Sequence, residues 1–207
     1  MTPRERMIAA LNLKQPDDIV PTFELQFQMA EELLGKRHVG QQPFDEAVSA
    51  AERERLVGQE AELYIEEAER LDYSGIAMCM GPWNMDDLTA VIRKIKELSG
   101  DKFLLIGMVD GTMGIPNGAN MMEAAIRLSE ESEQVHSELA ASAKNAIETA
   151  RQLVDAGCEA FQMCADYCFN DGPFLSPNMF REFVTPYLSE IIAAMREMGA
   201  YAIKHTD

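Results

Sequence analysis

The stretch from Gly157 to Asp207, GCEAFQMCADYCFNDGPFLSPNMFREFVTPYLSEIIAAMREMGAYAIKHTD, constrains the fold more than any other part of the chain. It reads as strand, loop, helix, strand. Glu159 to Cys164 is a short apolar run after a glycine, with Asp166 to Asn170 at its carboxyl end. Gly172 to Pro177 is a turn-rich loop. Ser176 there can cap a helix that starts at Pro177, where the missing N–H costs nothing. Phe180, Phe183, Val184, Tyr187, Leu188, Ile191, Ile192 and Met195 recur at helical spacing, which predicts one apolar face. Gly199 stops that helix, and a strand from Tyr201 to Ile203 ends in Lys204-His205-Thr206-Asp207.

The preceding residues repeat the alternation. Thr2 caps a first helix with Pro3 at its first position. After the turn Gln15-Pro16-Asp17-Asp18, Ile19 to Leu25 reads as a strand with Pro21 near its start. Gln26 to Leu34 reads as a short helix and Lys36 to Pro43 as a polar connector. From Asp45 a long acidic amphipathic helix is expected to about Leu71, with Val48, Leu56, Leu63, Tyr64 and Ala68 buried. Ser74 to Cys79 is a strand, Asp86 to Leu98 a helix, and Phe103 to Val109 a continuous apolar run typical of a strand covered on both faces. Met121 to Leu128 and Glu131 to Ala156 are helical. No Asn-Gly signal joins two strands directly, so the order argues for an α/β fold with a parallel sheet.

Two segments also carry a resemblance. GPFLSPNMFREFVTPYL, followed by a strand ending in His-x-Asp, and the opening TPRERMIAALNLKQPDDIVP resemble the uroporphyrinogen decarboxylase superfamily. The likeness extends over essentially the whole chain. It implies a (β/α)8 TIM-barrel fold, of which only about the first five strand–helix units are counted here. The expectation is a single incomplete barrel domain over residues 1–207, truncated at its C-terminus. Such a piece exposes edge strands, a route to self-association, and a non-catalytic fragment needing a partner to complete the barrel is one reading.

Barrel active sites lie at the carboxyl ends of strands. Here those positions hold Glu24, Cys79 to Trp83, Asp110 to Thr112, Gln162 to Tyr167 and His205 to Asp207. The resemblance implies His205, Asp166 and Asp110 as catalytic residues. It implies Phe23, Glu24, Phe27, Met80, Trp83, Gln162 and Tyr167 as substrate contacts. The family divides into decarboxylases of a tetrapyrrole, lyases of porphyrin metabolism, and corrinoid-linked methyltransferases. The decarboxylases need fixed cations for a polycarboxylate, supplied by an arginine-rich segment after the first strand. Phe23 to Met29 has neither Arg nor Lys, and Gly81 stands where the decarboxylases place an Asp. The methyltransferase branch, acting on a small methylated compound with a corrinoid on a partner protein, is therefore expected, with uroporphyrinogen decarboxylase as the alternative. That branch carries zinc on a His-x-Cys. Asp207 replaces the Cys here, so zinc on His205 and Asp207, a substrate-contacting or acid/base His205, and a structural His205 all stay open.

The net charge of −17 argues against nucleic acid or an anionic membrane as partner, since phosphate binding needs clustered Lys and Arg. No apolar run approaches the ~20 residues of a membrane span, and the N-terminus has no apolar signal core. Cys79, Cys158, Cys164 and Cys168 form no Cys-x-x-Cys pair, and the expectation is a cytoplasmic protein with reduced thiols. His38, in a connector, and His136, on a charged helix, are expected to be exposed.

Overall fold

The computed structural model of the chain describes residues 1–205. Helices α1 (Pro3–Leu11), α2 (Ala30–Leu34), α3 (Gln41–Glu46) and α4 (Ala50–Arg70) precede strand β1 (Gly75–Ala77). Then follow α5 (Met85–Ser99), β2 (Leu104–Met108), α6 (Met121–Glu130), α7 (Ser132–Ala156) and β3 (Ala160–Met163). Short strands β4 (Cys168–Phe169) and β5 (Gly172–Pro173) lead to α8 (Pro177–Phe183), α9 (Thr185–Glu197) and β6 (Tyr201–Lys204). The strand order of the main sheet is β1-β2-β3-β6, and the fold is α/β. Two compact units divide the chain: Met1–Met108 with Gln152–Ala160, and Val109–Arg151 with Phe161 onward.

In the first unit β1 and β2 pair in parallel, Gly75 opposite Leu104 and Ala77 opposite Ile106. The Glu159 N–H, at the entry to β3, donates to Leu105 O at 2.9 Å. Ile76, Leu104, Leu105 and Ile106 are fully covered, with Tyr64, Ile92, Ile95 and Leu153 buried in the same unit. Burial on both strand faces explains the uninterrupted apolar run. Gly75 leaves room for its neighbour: a Cβ there would stand 2.8 Å from Ile106 Cδ1. Arg4 grips the Glu159 carboxylate, and Arg6 reaches Asp18 (2.8 Å) and Ser74 (3.3 Å), tying α1 beneath the strands. The Arg6 guanidinium holds the Asp18 carboxyl well below the usual carboxylate range.

In the second unit the Val109 N–H donates to Gln162 O at 3.1 Å, and the His205 N–H to Met163 O at 3.0 Å. Leu128, Val135 and Leu139 form a cluster with Tyr167, Leu175, Phe183 and Val184. No helix among the described residues is long and apolar enough to cross a membrane.

Several expectations are corrected. Residues 19–25 are not a strand: Pro21 has no N–H to give, Val20 is 79% exposed, and one backbone bond, Ser74 N–H to Thr22 O, replaces a ladder. The long helix starts at Ala50, capped by Ser49, whose hydroxyl accepts from Glu52 N–H. This leaves Val48 outside it and 93% exposed. Part of the connector is helical as α3, and α2 is shorter than expected. The apolar face after Ser176 belongs to two helices, because Pro186 cannot donate and its ring crowds the carbonyl four residues back. The stretch before it holds a hairpin: Cys168 and Phe169 pair antiparallel with Pro173 and Gly172.

Candidate functional site

In the first unit, the Glu60 and Glu67 carboxylates rise from one face of α4, with Tyr64 between them. His38 lies between the two. Its Nδ1 is 2.8 Å from Glu60 Oε1 and its Nε2 is 3.1 Å from Glu67 Oε2. Only an imidazolium donates from both nitrogens. The other oxygens accept backbone N–H groups, Glu60 Oε2 from Val39 (2.6 Å) and Glu67 Oε1 from Met29 (3.0 Å). The segment from 29 to 39 is thus latched at both ends. Burial disfavours the charged ring, but the hydrogen bonds and charges of the two carboxylates outweigh it and raise the His38 pKa to about 9. This corrects the expectation of an exposed His38, whose side chain is 5% exposed.

The latched segment walls a cavity of about 420 Å³ with His38, Phe27, Gln28, Met80, Lys36 and Arg37 on its lining. Two of the expected substrate contacts, Phe27 and Met80, therefore share one pocket. Phe27 is fully buried, its ring 5.3 Å from that of Tyr64 and 5.5 Å from that of Tyr73. Lys36 pairs with Glu66 and Arg37 with Glu31. Glu24 accepts from the Tyr73 hydroxyl at 3.4 Å, Phe23 is half-buried beside Gly75, and Trp83 stands exposed. Burial pushes the Cys79 thiol up to about 11, and its sulfur accepts from Phe27 N–H.

In the second unit Asp110, Asp166, Tyr167 and His205 gather at the ends of β2, β3 and β6, and Gln162 is buried within β3. Asp110 is fully engaged. Its Oδ1 accepts from Thr112 N–H (2.9 Å) and the Thr112 hydroxyl (2.7 Å), its Oδ2 from Ala165 N–H (2.8 Å) and Lys204 Nζ (3.3 Å). With the Thr112 proton given to Asp110, the Tyr167 hydroxyl 2.8 Å away donates to Thr112 Oγ1. Burial works against the charged carboxylate, yet the Thr112 and Ala165 bonds and the Lys204 charge hold Asp110 below the usual range. Lys204 also donates to Met163 O (3.2 Å) and Ala165 O (2.8 Å).

His205 Nε2 faces Asp166 Oδ1 at 3.7 Å, and both side chains are accessible. This is ion-pair range, longer than a hydrogen bond. Asp166 O accepts from Ile115 N–H at 2.9 Å, which anchors the loop after β2. The Cys164 thiol is raised chiefly by burial, with the Lys204 charge opposing and the Asp110 and Asp166 charges adding. Among the described residues no group of three or more His, Cys, Asp or Glu is gathered to hold a metal. Asp207, the second member of the expected zinc pair, lies outside the described residues.

Sequence reasoning passed over Lys204 and the His38 latch. Lys204 adjoins His205 at a strand end, and Glu60 and Glu67 interrupt the apolar stripe of α4, a legible sign of buried acid.

A family model described as uroporphyrinogen decarboxylase matches residues 65–207. No curated protein is similar enough to match. Among solved structures, a methyltransferase from Methanosarcina mazei is similar in fold, with a TM-score of 0.66 and 16% identity. The similarity covers 100% of this chain and 70% of that one.

Proposed function

Because the chain belongs to the uroporphyrinogen decarboxylase family, we propose that it is of the family's corrinoid-linked methyltransferase or demethylase type. In this reading its α/β fold is a (β/α)8-type barrel, and its substrate is a small methylated compound. One observation carries the choice: the cations at the Phe27–Met80 pocket are already matched. Lys36, Arg37 and the imidazolium of His38 face the carboxylates of Glu66, Glu31, Glu60 and Glu67. Four anions against three cations suit a neutral or cationic ligand and disfavour a macrocycle with many carboxylates. The fold shared with a methyltransferase is in keeping with this.

A corrinoid carried by a partner protein would supply the methyl acceptor in this chemistry. When the substrate is neutral, the oxygen or nitrogen that the methyl leaves must then gain a proton. We assign that proton to His205 Nε2, with Asp166 at 3.7 Å orienting the ring. Asp110 has both oxygens occupied and serves to hold the strand ends.

The test mixes the protein with reduced cobalamin and a panel of methoxylated and N-methylated small compounds, following methyl transfer by the cobalamin spectrum. Transfer from at least one compound is expected, with His205→Asn and Asp166→Asn each lowering the rate by about 10²-fold. Decarboxylation of uroporphyrinogen with no methyl transfer would contradict the proposal.

A further inference from the structure

The ammonium of Lys204 occupies an oxygen cage. Its three protons meet three acceptors: Ala165 O at 2.8 Å, Met163 O at 3.2 Å and Asp110 Oδ2 at 3.3 Å. The Tyr167 ring closes a fourth side, its centroid 4.6 Å from Nζ. The side chain is 18% exposed. Two carbonyls and one carboxylate around a small desolvated cation are what a potassium or ammonium ion would also take. We infer that Lys204 is a built-in monovalent cation and the positioning residue of this site. It neutralises Asp110 and pins the carbonyls on either side of Cys164, and Asp166 and His205 are the residues that directly follow Ala165 and Lys204 beyond the ends of β3 and β6. Only the importance of the His205–Asp166 pair rests on the functional reading above. The cage itself does not.

Lys204→Ala removes the ammonium and leaves the cage open, whereas Lys204→Met fills it with an apolar chain. Both variants are compared with the parent protein by thermal midpoint at equal concentrations of ammonium, potassium, lithium and tetramethylammonium chloride. His205 ring signals are followed by NMR, which three histidines in the chain make tractable. K204A is expected to lose stability in lithium and tetramethylammonium and to regain at least half of the loss in ammonium or potassium. Its His205 signals should shift on mutation and return with the same ions. K204M should recover in none of the salts. Equal behaviour of K204A in all four salts would overturn the inference. So would equal recovery of K204M, unmoved His205 signals, or a K204A that stays unfolded in ammonium as well as in tetramethylammonium. No substrate enters the measurement, so failure of the methyl-transfer proposal leaves it intact.

Discussion

His38 is where a single side chain sets a measurable pH dependence. Its folded-state pKa is raised to about 9 from an ordinary 6.5. A group raised on folding contributes stability that is fully present below pH 6.5 and lost as pH rises through 9. A shift of this size corresponds to roughly 3 kcal/mol. Urea denaturation between pH 6 and 10 should show that loss in the parent protein and a flatter profile in His38→Gln. Parallel profiles would mean that the latch does not hold the ring charged. Gly111 offers a second test at this scale. A Cβ there would sit 2.7 Å from Ala146 Cβ and 2.9 Å from Ser142 O, so Gly111→Ala should cost about 1–3 kcal/mol. A neutral substitution would place the loop after β2 farther from α7.

At the scale of elements, capping decided what periodicity could not. Ser49 accepts from Glu52 N–H at 3.2 Å, so Ser49→Ala should remove about 1 kcal/mol from stability. An unchanged denaturation midpoint would favour a helix already formed at Asp45. Long apolar runs were legible. The stretch over 103–109 gave β2 within a residue at each end, because a strand covered on both faces has few other ways to read. Short or punctuated elements were not. Residues 19–25 have strand-like composition, but Pro21 spoils the ladder, and only position 22 accepts a backbone bond from Ser74. The β4–β5 hairpin was announced by Asn170-Asp171-Gly172, with Gly172 at φ +137°, rather than by the Asn-Gly sought. Pro186 signalled the break between α8 and α9, yet the apolar spacing runs through it unchanged.

For the molecule as a whole, membership of the family was readable from two motifs, and the family model covers residues 65–207. Strand-end position in the barrel that the resemblance implies singled out Asp110, Asp166, Tyr167 and His205, and the second unit brings these four together. What those residues do depended on pairing, which spacing does not encode: Asp110 is saturated by four donors, and Lys204 supplies one of them. The same holds for charge. A chain of net −17 can still present a cationic pocket, and only the ion pairs of Lys36, Arg37 and His38 decide against one. Equilibrium dialysis of the protein against cobalamin and against uroporphyrin, at matched ionic strength, tests this most directly. Cobalamin retained at least tenfold more tightly is the predicted result. Tighter uroporphyrin binding that weakens steeply with added salt would contradict it, for it would require positive charge free to grip a polycarboxylate.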